Sequence, residues 1–278
     1  MLWKIKNDKY YTSPKLAKYI VSKTKEIIGK NNITEYLEPS AGQGVFLDYL
    51  DKPYLAYDIE PEDDRIVQQD FLELELEYKK GRCIIGNPPF GERMNLTTKF
   101  YKKAILLGDY IAFILPISQY KNRQKLYEFD LIYGENLGER LYTDRRVHCC
   151  FNIFKRNPNG LNKKPNYKLK DVEIKEAIKN KNSKRNKIVS KKDFDYDIRI
   201  KAWGGGVERT SRLGREVEYE SQFAKEFCIK INNKKYKNKI INLIKNVHWE
   251  YIYPMTATPN LLQWQVYKYL KEQIPELE

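Results

Sequence analysis

The sequence predicts an α/β protein in which a doubly wound, mostly parallel sheet is followed by a smaller α+β domain. Three observations support this fold class. Short apolar runs alternate with segments of helical periodicity through the first half of the chain, which is typical of a parallel sheet with helices on both faces. One of these runs, 83–86, ends abruptly in an amide and two prolines. After residue 155 the composition changes to a lysine-rich segment.

The chain is strongly basic, with a net charge of +14 over 278 residues. This length fits one large domain, or a catalytic domain plus a smaller one. The charge is unevenly distributed, since residues 161–192 contain eleven Lys and one Arg against three acids, a net charge of +9. Such an excess predicts a polyanionic partner, most simply nucleic acid. The alternatives are a solvated, partly disordered linker and a coding bias toward Lys, Asn, Ile and Tyr.

Several classes of protein are disfavoured. No apolar run reaches the length of a transmembrane helix, and the first residues do not resemble a signal peptide. We therefore expect a cytoplasmic protein, or a nuclear or viral-factory protein if the source is a eukaryotic virus, with no membrane partner. The four cysteines lack C-x-x-C spacing, so we expect reduced, structural thiols and no metal site. Neither of the two histidines lies in a nucleophile motif, which disfavours a His-based hydrolase.

The first elements have clear local signals. Ser13 is a good N-cap for a helix that begins at Pro14, and Gly29 ends it. Residues 35–38 form a candidate strand, after which the turn at 39–44 leads into a predicted helix at 45–50. Gly42 and Gly44 permit close approach of a ligand to the backbone. A dinucleotide site is disfavoured because the full G-x-G-x-x-G pattern is absent.

Two further predicted strands end in acidic residues. The strand at 54–58 ends in Asp58, whose carboxylate can accept hydrogen bonds from ribose hydroxyls. A shorter strand within 65–71 leads to Asp70 and Phe71. Residues 73–77 alternate and fit either an edge strand or an acidic turn.

The stretch 83–90 carries the chemistry that the sequence indicates. The strand must stop at Asn87 because Pro88 cannot donate to a sheet ladder, and open parallel sheets bind ligands at strand ends of this kind. The Asn87 side-chain oxygen and the Pro88 carbonyl could accept both hydrogens of a ring-conjugated amine such as that of adenine, freeing its lone pair. Phe90 could stack on the base, which a duplex must flip out. A plain Pro-rich turn is the alternative.

The rest of the chain continues the alternation. A helix at 96–107, a strand at 110–116, a helix capped by Ser118 and a strand at 147–154 are predicted, with a domain boundary after residue 156. Residues 194–202 alternate between apolar and charged side chains, as in a half-buried strand. Its charged face and the arginines that follow could contact phosphates or guanine edges. These candidate nucleic-acid-binding residues are Arg199, Lys201, Arg209, Arg212 and Arg215.

Asn87-Pro88-Pro89-Phe90 resembles the catalytic motif of S-adenosylmethionine-dependent amino-methyltransferases, above all the N6-adenine DNA methyltransferases. Residues 38–44 resemble the cofactor loop of that family, and residues 11–14 its N-terminal cofactor motif, with Ser13 as an insertion. The resemblance implies a Rossmann-like class I methyltransferase domain at 1–156 that binds S-adenosyl-L-methionine. The cofactor-binding residues that it implies are Tyr11, Thr12, Glu38, Pro39, Ser40, Gly42, Gly44, Asp58, Ile59, Asp70, Phe71 and Asn87. The implied catalytic residues are Asn87, Pro88, Pro89 and Phe90.

The resemblance also implies an activity. We expect a site-specific DNA methyltransferase that modifies N6 of adenine, as in restriction-modification systems, with a basic target-recognition domain at 157–278. The chain would act as a monomer or homodimer. Three alternatives remain open: methylation of RNA adenine, methylation of protein glutamine, and a non-catalytic nucleic-acid-binding subunit. The protein-glutamine alternative leaves the basic segment unexplained.

Overall fold

The structure is a computed structural model that describes residues 11–142, 145–178, 191–203, 213–217, 225–253 and 260–278. The chain divides into two compact units, Met1–Pro165 and Asn166–Glu278. The predicted boundary lies earlier, after residue 156. Residues between the two positions hydrogen-bond within the first unit, because the Asn162 N–H donates to the Glu128 carbonyl at 2.8 Å and its side chain donates to Asp130 at 2.9 Å.

Among its described residues, the first unit contains two α-helices and seven strands. In chain order they are α1 (Pro14–Ile28), β1 (Glu35–Glu38), β2 (Tyr54–Asp58), β3 (Val67–Gln68), β4 (Arg82–Gly86), α2 (Asn95–Leu107), β5 (Tyr110–Pro116), β6 (Asp130–Tyr142) and β7 (Arg145–Lys155).

The seven strands form one sheet in the order β3-β2-β1-β4-β5-β7-β6. The first five strands of this order are parallel, and β7 is antiparallel to both of its neighbours. The strand order reverses between β1 and β4, where Leu37 lies level with Ile84. Open α/β sheets bind ligands in the crevice at such a switch point, beyond the carboxyl ends of the strands. The mixed α/β architecture with a mostly parallel sheet is therefore confirmed.

Both faces of the central strands are buried. Ile85, Ala112 and Phe151 lie in the same apolar cluster as residues of α1. Ile84 and Phe113 lie in a second cluster with residues of α2. This explains why the strands are continuous apolar runs, as expected for a sheet covered on both sides.

Local signals gave several elements correctly. Helix α1 begins at Pro14, the Ser13 hydroxyl accepts a hydrogen bond from the Leu16 N–H, and Gly29 adopts φ +85° at its end.

The predicted helix at 45–50 is wrong: this segment consists of turns, with the Leu47 N–H donating to the Gly44 carbonyl three residues back. The helix predicted after Ser118 is also wrong, because a single 3₁₀ turn ends before Lys121, which has φ +49°.

The second unit contains a three-stranded antiparallel sheet and helices. The strands are β8 (Val172–Ile178), β9 (Ile198–Lys201) and β10 (Lys225–Ile231), in the order β8-β10-β9. The helices are α3 (Lys237–Asn246), α4 (Trp249–Ile252) and α5 (Gln263–Gln273). Ile240 and Ile244 of α3, Trp249 of α4 and Leu270 of α5 lie with the sheet in one apolar core.

Two of the predicted nucleic-acid contacts are corrected by this structure. Arg199 is 2% exposed and Lys201 is fully buried, so neither side chain can contact a phosphate. The predicted half-buried strand is instead covered along its free edge by a segment whose Val217 N–H donates to the Arg199 carbonyl at 2.7 Å. The Arg199 guanidinium forms an ion pair with Glu226 of the neighbouring β10. Arg215 is exposed, whereas Arg209 and Arg212 lie outside the described residues.

The buried Arg199–Glu226 pair predicts a large effect on stability. Replacing Glu226 by Gln leaves a buried guanidinium without its counter-charge, which costs about 3–5 kcal/mol in comparable cases. We expect chemical denaturation, followed by circular dichroism, to show this loss in the transition of the second unit. Lys245→Gln, which breaks the exposed pair with Glu216, is the matched control and should cost less than about 1 kcal/mol. Equal losses in the two variants would contradict the prediction.

All four cysteines are buried and free. In the part of the chain that the structure describes, no cluster of His, Cys, Asp and Glu is arranged to hold a metal ion. Among the same residues, no helix combines the length and apolar character needed to cross a membrane.

Candidate cofactor site and catalytic loop

A cavity of about 440 Å³ lies at the carboxyl edge of the sheet, where β1, β2 and β4 end. This volume is within the range of small-molecule and cofactor sites. The lining comes from five separate segments of the chain: the residues before α1, the turn after β1, the chain after β2, the chain after β3 and the loop after β4 with the start of α2. A site assembled at the topological switch point is the location that the predicted fold implies.

Eleven of the twelve candidate cofactor residues line this cavity. They are Tyr11, Thr12, Glu38, Pro39, Ser40, Gly42, Asp58, Ile59, Asp70, Phe71 and Asn87. The exception is Gly44, where an added Cβ would lie 3.0 Å from the Asp63 carboxylate and 3.2 Å from the Arg65 guanidinium. Gly44 has φ +72°, so its part in the loop is to allow a left-handed turn against this ion pair.

Asp58 ties the turn after β1 to the chain after β2. One carboxylate oxygen accepts the Gly42 N–H at 2.8 Å, and the other accepts the Glu60 N–H at 2.9 Å. The Ala41 N–H donates to the Tyr57 carbonyl beside them at 3.0 Å. A carboxylate offers about four acceptor positions, so these two bonds leave capacity for ligand hydroxyls. Asp58 is therefore an organiser of the turn as well as a candidate ligand.

Glu38 is the most unusual group in the cavity wall. It is only 1% exposed, and its Oε2 atom has no hydrogen-bond partner among the described residues. Burial raises the pKa of the carboxyl well above its usual value, and the nearby Asp58 carboxylate raises it further. Gly86 leaves room for this side chain, since an added Cβ would lie 3.4 Å from Glu38 Cγ. A buried carboxyl at a cavity wall favours a ligand that brings a cationic hydrogen-bond donor.

Asn87 is held from two sides at the end of β4. Its Nδ2 donates to Thr12 Oγ1 at 3.3 Å, and the Ser40 hydroxyl donates to its backbone carbonyl at 3.4 Å. Thr12 precedes α1 and Ser40 follows β1, so three distant segments meet at this residue. Because the hydrogen bond to Thr12 uses the nitrogen of the amide, Oδ1 is the acceptor end of the side chain.

The loop after Asn87 is fixed to the start of α2. The Thr97 hydroxyl lies 3.1 Å from the Pro89 carbonyl and 3.4 Å from the Phe90 carbonyl, and donates to both. Gly91 has φ +64°, and an added Cβ there would lie 3.0 Å from the Leu96 nitrogen. Pro89 lines the cavity, whereas Pro88 and Phe90 are buried and do not. The Phe90 ring belongs to the same apolar cluster as residues of α1.

Part of the cavity lining is apolar. The Phe71 and Phe100 rings lie 5.1 Å apart with their planes tilted by 38°, and Leu96 lines the same cavity. Asp70 accepts the Leu72 N–H at 2.8 Å, which holds the turn after β3. Leu96 and Phe100 were not predicted as site residues, because an apolar residue that lines a cavity has the same sequence pattern as one that packs in a core.

A hydrogen-bonded chain of side chains links Tyr11 to two other segments. The Tyr11 hydroxyl donates to Glu62 Oε1 at 2.6 Å, and Gln43 Nε2 donates to Glu62 Oε2 at 3.1 Å. Tyr11 and Gln43 both line the cavity. This arrangement connects the chain before α1 with the turn after β1, and the sequence offered no signal for Glu62.

No protein-family model matches the chain, and no curated protein matches it either. Solved structures match part of it. A candidate RNA methyltransferase from Pyrococcus horikoshii is 17% identical, covering 56% of this chain and 92% of that chain with a TM-score of 0.44. A candidate class I S-adenosylmethionine-dependent methyltransferase from Listeria monocytogenes is 15% identical. The match covers 59% of this chain and 65% of that chain with a TM-score of 0.44.

A third match is the methyltransferase subunit of a type I restriction-modification system from Streptococcus thermophilus. It is 12% identical, and the matched region covers 53% of this chain and 45% of that chain with a TM-score of 0.40. The present chain therefore spans about half of that subunit. By its own strand order and its antiparallel β7, the first unit has a mixed α/β fold with a central, mostly parallel sheet.

Proposed function

We propose that the chain is an S-adenosyl-L-methionine-dependent DNA methyltransferase that modifies N6 of adenine. The observation that carries this proposal is the position of Asn87. Its amide lies at the end of β4, donates to Thr12 and shares one cavity with the buried Glu38 and with Asp58. The site therefore combines an acceptor for an amine with a cavity for a ligand that has both polar and apolar parts.

The side chains around the cavity fit this cofactor. Glu38 offers a buried oxygen without a protein partner among the described residues to an ammonium group. Asp58 can accept ribose hydroxyls in addition to its two backbone N–H groups. Ile59, Phe71 and Phe100 provide apolar surface for a flat ring. When bound, S-adenosyl-L-methionine supplies an electrophilic methyl group on a sulfonium.

The protein contributes acceptors rather than a charged base. We infer that Asn87 Oδ1 and the Pro88 carbonyl accept hydrogen bonds from the two N–H groups of the adenine amine and draw its lone pair out of the ring. The methylated amine would then lose one proton to water. Acceptors placed where positive charge develops lower the barrier because they need no reorganisation during the reaction. In this proposal Phe90 stacks on the flipped base, which requires its ring to leave the apolar cluster, since it is 8% exposed.

Methyl transfer from labelled S-adenosylmethionine tests the proposal. Unmethylated plasmid DNA, structured RNA and a protein extract would be offered in parallel, and the label recovered in each polymer would be counted. We expect label in DNA. Label in RNA alone would keep the chemistry and overturn the substrate, and label in protein alone would overturn the nucleic-acid substrate. Absence of label in all three, with cofactor bound, would overturn the proposal for the isolated chain.

A further inference from the structure

Helix α3 has an outer face made only of asparagine and lysine. The five residues that we call the outer face of α3 are Asn238, Lys239, Asn242, Lys245 and Asn246, and all are exposed. They follow the spacing of one side of an α-helix. The opposite side carries Ile240 and Ile244, which are fully buried in the core of the second unit. The core therefore fixes which side of the helix faces outward.

The segment of the chain that contains α3 is basic. Residues 232–249 contain five lysines and no acid. Lys237 pairs with Asp197 and Lys245 pairs with Glu216. Lys234, Lys235 and Lys239 have no carboxylate partner among the described residues. A solvated helix face usually alternates acidic and basic residues at spacings of three and four, which stabilises the helix, and this one does not.

The asparagines are not explained by the stability of the helix. Asn has a lower helix propensity than Ala, Glu, Lys or Gln, yet three of the ten residues of α3 are Asn, and all three face outward. No core contact requires them there, because all three are exposed. The Asn246 amide donates to the Asn242 side chain at 2.7 Å, but Asn238 forms no such bond among the described residues. Amides displayed on a basic helix are suited to hydrogen-bonding base edges.

We propose that the outer face of α3 enters the major groove of duplex DNA, with its lysines on phosphates and its asparagines on base edges. This inference rests on the proposed function, because it names the surface that would hold the substrate. A ten-residue helix is about 15 Å long, and the major groove of B-DNA admits an α-helix. The deep, narrow major groove of A-form RNA does not. The surface therefore favours duplex DNA over duplex RNA.

An exposed ring follows the helix. Tyr251 exposes 82% of its surface, more than any other large apolar or aromatic side chain in the described residues. The His248 ring lies 5.6 Å from it, between α3 and the end of α4. Tyr251 therefore exposes an aromatic ring five residues beyond the last residue of α3.

The test compares two double variants of the full chain in binding to a duplex DNA of mixed sequence. Lys235→Gln with Lys239→Gln removes one charge from the outer face of α3 and one from the exposed Lys235, two residues before the helix, while Lys15→Gln with Lys18→Gln removes two exposed charges from α1. Affinity would be measured by fluorescence anisotropy at several salt concentrations. For the first variant we expect weaker binding and a salt slope that is shallower by about 0.9 for each phosphate that the variant no longer neutralises. The α1 variant should retain the wild-type slope.

A second double variant tests whether the asparagines of α3 recognise bases. Asn238→Ala with Asn242→Ala favours the helix, so a loss of binding would not reflect unfolding. We expect the sequence contexts methylated in plasmid DNA to broaden, with discrimination between bases falling about fivefold to 100-fold for each amide that binds a base. Lys239→Arg keeps the charge and should retain wild-type binding.

Several outcomes would overturn this inference. They are an unchanged salt slope in the α3 variant, an equal change in the α1 variant, and wild-type binding to duplex RNA that is as tight as binding to DNA. A wild-type chain that does not bind duplex DNA would also overturn it. If the chain methylates DNA but replacing Lys235 and Lys239 does not weaken DNA binding, this inference is wrong and the proposed function is unaffected. If DNA binding depends on α3 but no methyl group is transferred, the proposed function is wrong and the DNA-binding role of α3 is supported.

Discussion

Replacing Asn87 by Ala should reduce the rate of methyl transfer by about 100-fold to 1000-fold, the cost of removing one well-placed polar group from a reacting centre. The reason is that Asn87 Oδ1 is the side-chain acceptor at the end of β4. In the proposed function it accepts a hydrogen bond from the adenine amine. Cofactor affinity should change by only a few-fold, because Glu38, Asp58 and Phe71 remain in the cavity wall. Single-turnover kinetics with labelled cofactor, together with calorimetric titration, would separate the two effects.

Thr12 provides a graded control for this prediction. Thr12→Val removes the hydroxyl that accepts the Asn87 Nδ2–H while conserving volume, so the amide loses its orientation but stays in place. We expect a rate loss of about fivefold, in line with the roughly 1 kcal/mol of a single neutral hydrogen bond. Thr12→Ser should retain the wild-type rate. An Asn87→Ala variant that retains its rate within about threefold would rule out the assigned role of the amide.

Replacing Glu38 by Gln should make the chain more stable and less able to bind the cofactor. Burial and the neighbouring Asp58 raise the pKa of the Glu38 carboxyl in the folded chain. A carboxyl whose pKa is raised by folding contributes most to stability below its unfolded pKa, and this contribution is lost as the pH rises toward the folded pKa. Gln removes the ionisation, so the gain in melting temperature should be larger at about pH 8 than at about pH 5.

The same substitution should weaken binding of S-adenosyl-L-methionine by about 10-fold to 100-fold, because a hydrogen bond to a charged group is worth roughly 1.5–3 kcal/mol. In the wild type, an ammonium ligand favours the ionised carboxylate, so affinity should increase with pH and binding should release a proton. Calorimetry in buffers with different ionisation enthalpies measures that proton. Glu26→Gln, at an exposed position on α1, is the matched control. Wild-type affinity in Glu38→Gln would contradict the assignment.

The elements that the sequence predicted well have signals within a few residues. Helix α1 has its cap, its first-turn proline and its terminal glycine in place, and β2 ends at the acid expected to end it. Strand β6 was missed because Gly134 and Gly138 lie inside it and its alternation is broken. The structure shows that β6 forms by pairing along β7, with two shifts of register. Such a strand is specified by its partner, not by its own residues.

The residues of the site also divide into those with a local sequence signal and those without one. Thr12, Glu38, Asp58 and Asn87 were assigned from short motifs, and the fold brings them into one cavity. Leu96 was not assigned, because nothing in its local pattern separates cavity lining from packing. The prediction that Arg199 and Lys201 contact nucleic acid was wrong because the local pattern was misleading. They alternate with apolar residues as an exposed charged face would, but their side chains are buried, and Arg199 forms an ion pair with Glu226 of β10.

Identification of the methylated nucleoside would decide whether the chain transfers a methyl group to N6 of adenine. Plasmid DNA methylated by the wild-type chain, and by Asn87→Ala as the control, would be digested to nucleosides and analysed by mass spectrometry against standards. We expect N6-methyl-2′-deoxyadenosine from the wild type and a loss of about 100-fold or more in the variant. A methyl group on any other nucleoside, or the same yield from both proteins, would contradict the claim that Asn87 presents the adenine amine for methyl transfer.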